Sequence, residues 1–151
     1  MRARLSGYNL GMDTFRFQHP IQIRYGDLDP QWHVNNAHTL TMLEHARFAY
    51  LMELDLFDGK SFFDLGLIVA DVHISYLAPT ELDQEIQVFV RTSRIGTKSM
   101  TLEYQIKDLK TDEILAKAET VMVAYDYHTH QSIPVQDEWR EKISTYEGQS
   151  F

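Results

Sequence analysis

The apolar positions of this chain change period as the sequence proceeds. Ile21, Ile23 and Tyr25 alternate with Gln22 and Arg24. That period of two predicts a strand over residues 15–25. Pro20 places its early part at an edge or in an irregular stretch. The run from Gly26 to Pro30 then breaks the strand. Asn35 or Asn36 can cap a helix, since a short polar side chain accepts the orphan N–H bonds of a first turn. The spacing predicts that helix over residues 36–54, with Leu40, Leu43, Tyr50, Leu51 and Leu54 on one face and Ala46 between them. Met42, Phe48, Ala49 and Met52 add apolar surface elsewhere, so the helix should be mostly surrounded. Its charges, Glu44, Arg47 and Glu53, need an exit or a partner; Glu44 and Arg47 are spaced to pair along the helix.

The remainder reads as strands. Ile68, Ala70, Val72, Ile74 and Tyr76 alternate with Val69, Asp71, His73 and Ser75, and Pro79 marks a turn. Residues 86–91 form a less regular strand, and Gly96 lies in the next turn. Met100, Leu102, Tyr104 and Ile106 make the clearest amphipathic strand, closed by a hairpin turn at 108–112. Residues 114–127 form a long final strand, and a short helix over 136–145 follows Pro134. One strand, one long helix and four strands joined by short turns imply an antiparallel sheet curled around a central helix, an α+β fold. The reading is a single domain over 1–151, with a loose arm at 1–13 and a short helix and tail at 134–151. Long strands such as 113–127 leave edges that need cover, which predicts a dimer that pairs sheets.

Composition narrows the function. The 151 residues carry 14 Lys and Arg against 22 Asp and Glu, a net charge of -8, with 44% hydrophobic residues and no cysteine. Such a chain can bury a core in one domain. The absence of cysteine excludes a disulfide scaffold, thiol catalysis and cysteine-ligated metal. The acidic balance argues against a nucleic-acid partner. No apolar run is long enough for a membrane helix and the N-terminus lacks a signal-peptide stretch, so a cytoplasmic protein without a membrane partner is expected.

Candidate chemistry concentrates in the segment from Tyr25 to Asn36. Asp27, Asp29, His33 and the amides of Gln31, Asn35 and Asn36 fall in one strand-to-helix loop. The helix start offers free N–H groups and a positive partial charge, suited to a developing oxyanion. A carboxylate beside it can act as nucleophile or general base.

This segment resembles the active-site signature of hotdog-fold thioesterases, in particular the 4-hydroxybenzoyl-CoA thioesterase family. The run Asp27-Leu28-Asp29 with His33-Val34-Asn35-Asn36 is also similar to the acyl-ACP thioesterase branch. Leu43-Glu44-His45-Ala46-Arg47 resembles the family's Glu-x-Ala-Arg pattern, and Ile74-Ser75-Tyr76-Leu77-Ala78-Pro79 its strand end after the helix. The resemblance covers roughly residues 17–127. It implies a hotdog fold and hydrolysis of an acyl-CoA or acyl-ACP thioester by a homodimer or dimer of dimers. Asp29 would be the catalytic carboxylate, attacking the thioester or activating water. Gln31 and His33 would orient water and polarise the thioester, and amides at Asn35, Asn36 and Ala37 would hold the carbonyl oxygen. Asp27 would shape the loop. Arg91, Arg94 and Lys98 would meet the CoA phosphates. No metal and no cofactor are implied, CoA being part of the substrate.

Trp32 stands where many relatives have a small residue and could narrow the acyl pocket, which keeps open a hotdog protein that binds acyl thioesters without turnover. A hydratase or dehydratase is a third reading. Several residues have plainer readings. Asp29 before Pro30 suits an ordinary turn. Glu44 and His45, with His38, suit hydrogen bonding better than metal ligation. Asp71 and His73 share a strand face, exposed or lining a pocket across a dimer. His128 and His130 suit a solvated loop.

Overall fold

The computed structural model describes residues 14–151, without the side chain of Phe62. The expected arm at 1–13 lies outside the described residues. Nine elements follow in order: β1 (Phe17–Ile21), α1 (Asn36–Glu53), α2 (Phe62–Leu65), β2 (Leu67–Tyr76), β3 (Ile86–Ile95), β4 (Ser99–Asp108), β5 (Ile114–Asp126), β6 (Gln131–Ser132) and α3 (Asp137–Glu147). The main sheet has the order β1-β3-β4-β5-β2, every described pairing is antiparallel, and β6 adds to β5. The α+β class and the sheet around one long helix are as expected.

Helix α1 starts where a cap was anticipated. The Asn35 side chain accepts from the Ala37 amide and stands before the first helical residue. Leu43, Ala46, Tyr50, Leu51 and Leu54 are buried, as the pattern requires. Leu40 is not; it is 42% exposed, and Met42 takes its place in the core. The facing layer is clean. Met100, Leu102, Tyr104 and Ile106 of β4 are all buried, and so are Val88, Val90 and Thr92 of β3.

Several elements differ from the expectation. β1 ends at Ile21 rather than near 25, because the Arg24 amide turns inward to the Asp27 carboxylate at 2.8 Å and residues 25–27 form a 3-10 turn. Pro20 is tolerated because β1 is an edge strand, paired only with β3. β3 runs to Ile95, past the expected end at 91; a bulge between Thr92 and Arg94 breaks its alternation without ending its pairing. The short α2 was not anticipated. α3 extends two residues beyond the expected end, to a Gly148 cap at φ 69°. Residues 114–127 do not form the last strand, since β6 follows.

Two face assignments also change. A bulge between Val69 and Asp71 shifts the alternation of β2 by one residue. Leu67 and Val69, then Val72, Ile74 and Tyr76, lie opposite the helix-facing residues of β5, and Ile68 lies opposite Val123 on the outer face. Strand β5 is interior, between β4 and β2. The edge needing cover is therefore β2, where Val69, Val72 and Tyr76 are exposed.

One buried polar knot joins helix, sheet and C-terminus. The Tyr50 hydroxyl lies 2.9 Å from Thr92 Oγ1, accepts from the Thr92 amide at 3.1 Å and donates to the Glu147 carboxylate. The Thr92 amide also reaches Glu147 at 3.0 Å. Removing one partner leaves a buried acceptor and donor short of bonds. Tyr50→Phe should therefore lower unfolding stability by about 1–2 kcal/mol, read as a lower urea midpoint with an unchanged slope.

Candidate active site

The loop between β1 and α1 is built on a buried carboxylate. Asp27 is 2% exposed. Its oxygens accept from the Arg24 amide at 2.8 Å and the Arg24 guanidinium at 3.0 and 3.3 Å, and His38 Nδ1 lies 3.1 Å away. Burial opposes its ionisation, but the bonds from Arg24 and His38 outweigh that and hold the carboxyl below its ordinary range. Its carbonyl accepts from the Asn35 amide at 2.8 Å, which ties the loop start to the helix cap. Asp27 shapes the loop, as expected.

The next turn presents Asp29. Its amide donates to the His33 carbonyl at 2.8 Å and its carbonyl accepts from the Trp32 amide at 3.0 Å. Its Oδ1 accepts from the Gln31 amide at 2.8 Å and, longer, the His33 amide at 3.4 Å. The loop is held from outside by the Val34 amide, which donates to the Thr80 carbonyl at 2.8 Å, and by a bridge from His33 to Glu81. Trp32 closes the turn at φ 64°, a conformation that favours glycine. Its indole is exposed, edge-on to Tyr25 with centroids 6.1 Å apart, and does not line the Asp29 cavity. The expectation that it narrows that pocket is not met within one chain.

Asp29, His33 and Asn36 line one cavity of about 390 Å³, walled by Thr39 and by the chain from Tyr76 to Thr80. Gln31 contributes its backbone amide to Asp29 and is otherwise exposed. Of the three expected oxyanion amides, that of Asn35 is bonded to Asp27, and that of Ala37 to the side chains of Asn35 and Asn36 at 2.9 and 3.0 Å. Among the described residues only the Asn36 amide of this trio has no acceptor.

The expected phosphate cluster stands elsewhere. Arg91 is on the outer face of β3, bonded to Glu103 at 2.8 and 2.5 Å and 4.9 Å from the Phe15 ring centroid. Arg94 is exposed, and Lys98 donates to the Ser132 carbonyl at 3.2 Å. α1 and the Asp29 loop are on the inner side of the sheet. Asp71 and His73 are exposed on the outer face, and His128 and His130 are exposed in the turn before β6. Among the described residues no three His, Asp or Glu side chains are placed to hold a metal ion. No helix of the described residues is long and apolar enough to cross a membrane.

Sequence reasoning missed His38 as the partner of Asp27, although its place on the first turn of the helix was a usable signal. It also missed the wall formed by Tyr76 to Thr80, which depends on tertiary placement.

The carboxylate network gives a pH test. Because the Asp27 carboxyl is held below its unfolded range, its contribution to stability is complete above about pH 4–5 and is lost as pH falls through its folded pKa. Asp27→Asn should therefore melt lower than wild type at pH 7. The gap should narrow as the melts are repeated toward pH 2.

Residues 23–143 match the family model described as the thioesterase-like superfamily. The chain is 29% identical over 126 residues to the long-chain acyl-CoA thioesterase FadM of Escherichia coli, covering 83% of this chain and 96% of that protein. A thioesterase of Thermus thermophilus, solved with coenzyme A and zinc, superposes with a TM-score of 0.80 at 30% identity, over 93% of this chain and 100% of the other. The 1,4-dihydroxy-2-naphthoyl-CoA thioesterase of Synechocystis shares the fold, with a TM-score of 0.75 at 19% identity over 84% and 94% of the two chains. The chain therefore belongs to the thioesterase-like superfamily, and its architecture is that of a hotdog-fold thioester hydrolase.

Proposed function

We propose that this chain hydrolyses acyl-CoA thioesters, with Asp29 as the reacting carboxylate. The observation that carries the reading is the cavity in which Asp29, His33 and the α1 start converge. Asp29 Oδ1 is fixed by two backbone amides, so the carboxylate has a set direction and its other oxygen remains for chemistry. It attacks the thioester carbonyl, or takes a proton from a water that does. In the first route a mixed anhydride forms as the thiolate departs, and water then cleaves it to free acid and the restored carboxylate; in the second, water adds directly and the thiolate departs from the resulting tetrahedral species. A thiolate is a good leaving group, so no serine or cysteine triad is required.

The Asn36 amide, at the positive end of α1, suits the developing oxyanion. His33 and Gln31 position the thioester and water. The relatives named for acyl-CoA substrates, and the one solved with coenzyme A, support CoA as the thiol. Carrier-protein thioesters are the alternative carrier. Arg91, Arg94 and Lys98 remain the proposed phosphate contacts; with the site on the other side of the sheet, they would serve a site completed by a second copy.

The exposed β2 edge supports that second copy. Val69, Val72 and Tyr76 project from the inner face of an edge strand that ends at the Asp29 cavity. Pairing β2 with its copy would satisfy the edge backbone and continue the sheet, giving a homodimer or a dimer of dimers.

Thiol release from short, long and aromatic acyl-CoAs tests the chemistry. Asp29→Ala is expected to lower kcat by about 10²-fold or more with its melting curve preserved. Full turnover in that variant removes Asp29 from the role, and no release from wild type removes the activity. Sedimentation should show a dimer or its double, and a lone monomer would remove the pairing.

A further inference from the structure

Among the described residues, Arg47 is a buried charge with an unmet donor; its guanidinium lies 5.8 Å from the Phe48 ring centroid. It is 5% exposed and lies in the middle of α1. Its Nη1 reaches the Tyr104 hydroxyl only at 3.5 Å, and its Nη2 lies 3.6 Å from Glu44 Oε1. Among the described residues its Nε has no hydrogen-bond partner. A guanidinium carries five N–H donors, and burying them without acceptors is costly. The Tyr104 hydroxyl, which also lies 2.9 Å from Thr120 Oγ1, accepts only from Nη1 of the guanidinium, so Nε gains nothing from it.

The same side chain lines a cavity of about 420 Å³ with Glu44, Phe48 and Leu51 of α1 and Leu67 and Val69 of β2. The Asp29 cavity lies between the first turn of α1 and the last residue of β2. Both cavities lie between α1 and β2, one toward each end of the strand, and Val72, midway along β2, is exposed between them. From Asn36 to Arg47 the helix rises about 16 Å. A long acyl chain spans that distance and a short one does not.

We propose that Arg47 is a distal specificity residue: the α1–β2 cleft takes a long acyl chain, and the buried guanidinium donates to a neutral oxygen, a hydroxyl or carbonyl, near the far end of that chain. This rests on the thioesterase reading. The chemistry favours a neutral oxygen over a carboxylate because Glu44 already balances the charge. What Arg47 lacks is an acceptor, and a second carboxylate would meet Glu44 with like charge. The apolar walls suit the methylene chain, and a site built to bond an oxygen rejects the analogue that lacks it.

The test uses CoA thioesters of one long chain length ending in a methyl, hydroxyl or carboxylate group, with thiol release as the readout. Wild type is expected to favour the hydroxyl end over the methyl end by about 10-fold or more in kcat/KM. Arg47→Met should bring that ratio close to one. Glu44→Gln, at a half-exposed position, should raise turnover of the carboxylate-ended substrate and provides a second reading if Arg47→Met does not fold. Equal rates for hydroxyl and methyl ends in wild type overturn the proposal. So does an Arg47→Met protein that falls to monomer in sedimentation and loses all three substrates alike, which would assign the missing acceptor to a second copy. Calorimetry with the free hydroxy acid and the plain acid separates the two readings. Tighter binding of the hydroxy acid without thiol release sinks hydrolysis and keeps the cleft. Thiol release without any preference sinks the cleft and keeps hydrolysis.

Discussion

A helix with apolar residues on several sides has to be enclosed, and the one sheet of this chain encloses it only in part. Strands β3 and β4 cover the face carrying Leu43, Ala46 and Tyr50 with an unbroken layer of buried residues. β2, at the far edge, meets the helix at its end, where the Tyr76 hydroxyl donates to the Asn36 carbonyl at 3.4 Å, and stays open along its length. Its inner side chains Val69, Val72 and Tyr76 stay exposed, as does Leu40 on the helix. Burial of apolar area is the main favourable term in folding, so an uncovered inner face invites either substrate or a second sheet. The cleft, the open edge and the cavity beside Asp29 all follow from this partial enclosure.

The loop that enters the helix solves a different problem. It must hold a carboxylate at the mouth of the cleft without letting it fold back. Asp27 supplies the fixed point, since its side chain holds Arg24 and His38 while its carbonyl holds Asn35. Asp29 then hangs from a short turn whose geometry is set on both sides. Two carboxylates two residues apart thus meet opposite surroundings, one buried among donors and the other facing a cavity.

Much of this was legible in the sequence, for identifiable reasons. Helix α1 was readable because Asn35 is a strong cap and its periodicity is long. β4 was readable because Met100 to Ile106 alternates without a fault. β3 was cut short and the face of Ile68 misassigned because bulges after Thr92 and Val69 change the period without changing residue character. Leu40 was expected in the core because the pattern fixes a helix face but not how far the sheet extends to cover it. Asp29 and His33 were singled out through their neighbours in one loop, and they line one cavity. Arg47, by contrast, was readable as a charge needing a partner, but only tertiary packing shows that Tyr104, Glu44 and the Phe48 ring meet it in part and leave its Nε without an acceptor among the described residues.

The knot of Tyr50, Thr92 and Glu147 bears on how the chain matures during synthesis. Its three members are far apart in sequence, and the last stands at the end of α3. Arg16, before β1, reaches the same helix end by donating to the Tyr146 carbonyl at 2.8 Å. While the chain is growing, the sheet can pair through β5 with the Tyr50 hydroxyl and the Thr92 amide still lacking their carboxylate. The interior is therefore fully satisfied only once α3 has docked. A chain whose sheet paired before that point would hold an incompletely satisfied interior, the kind of state most open to chaperone contact or proteolysis.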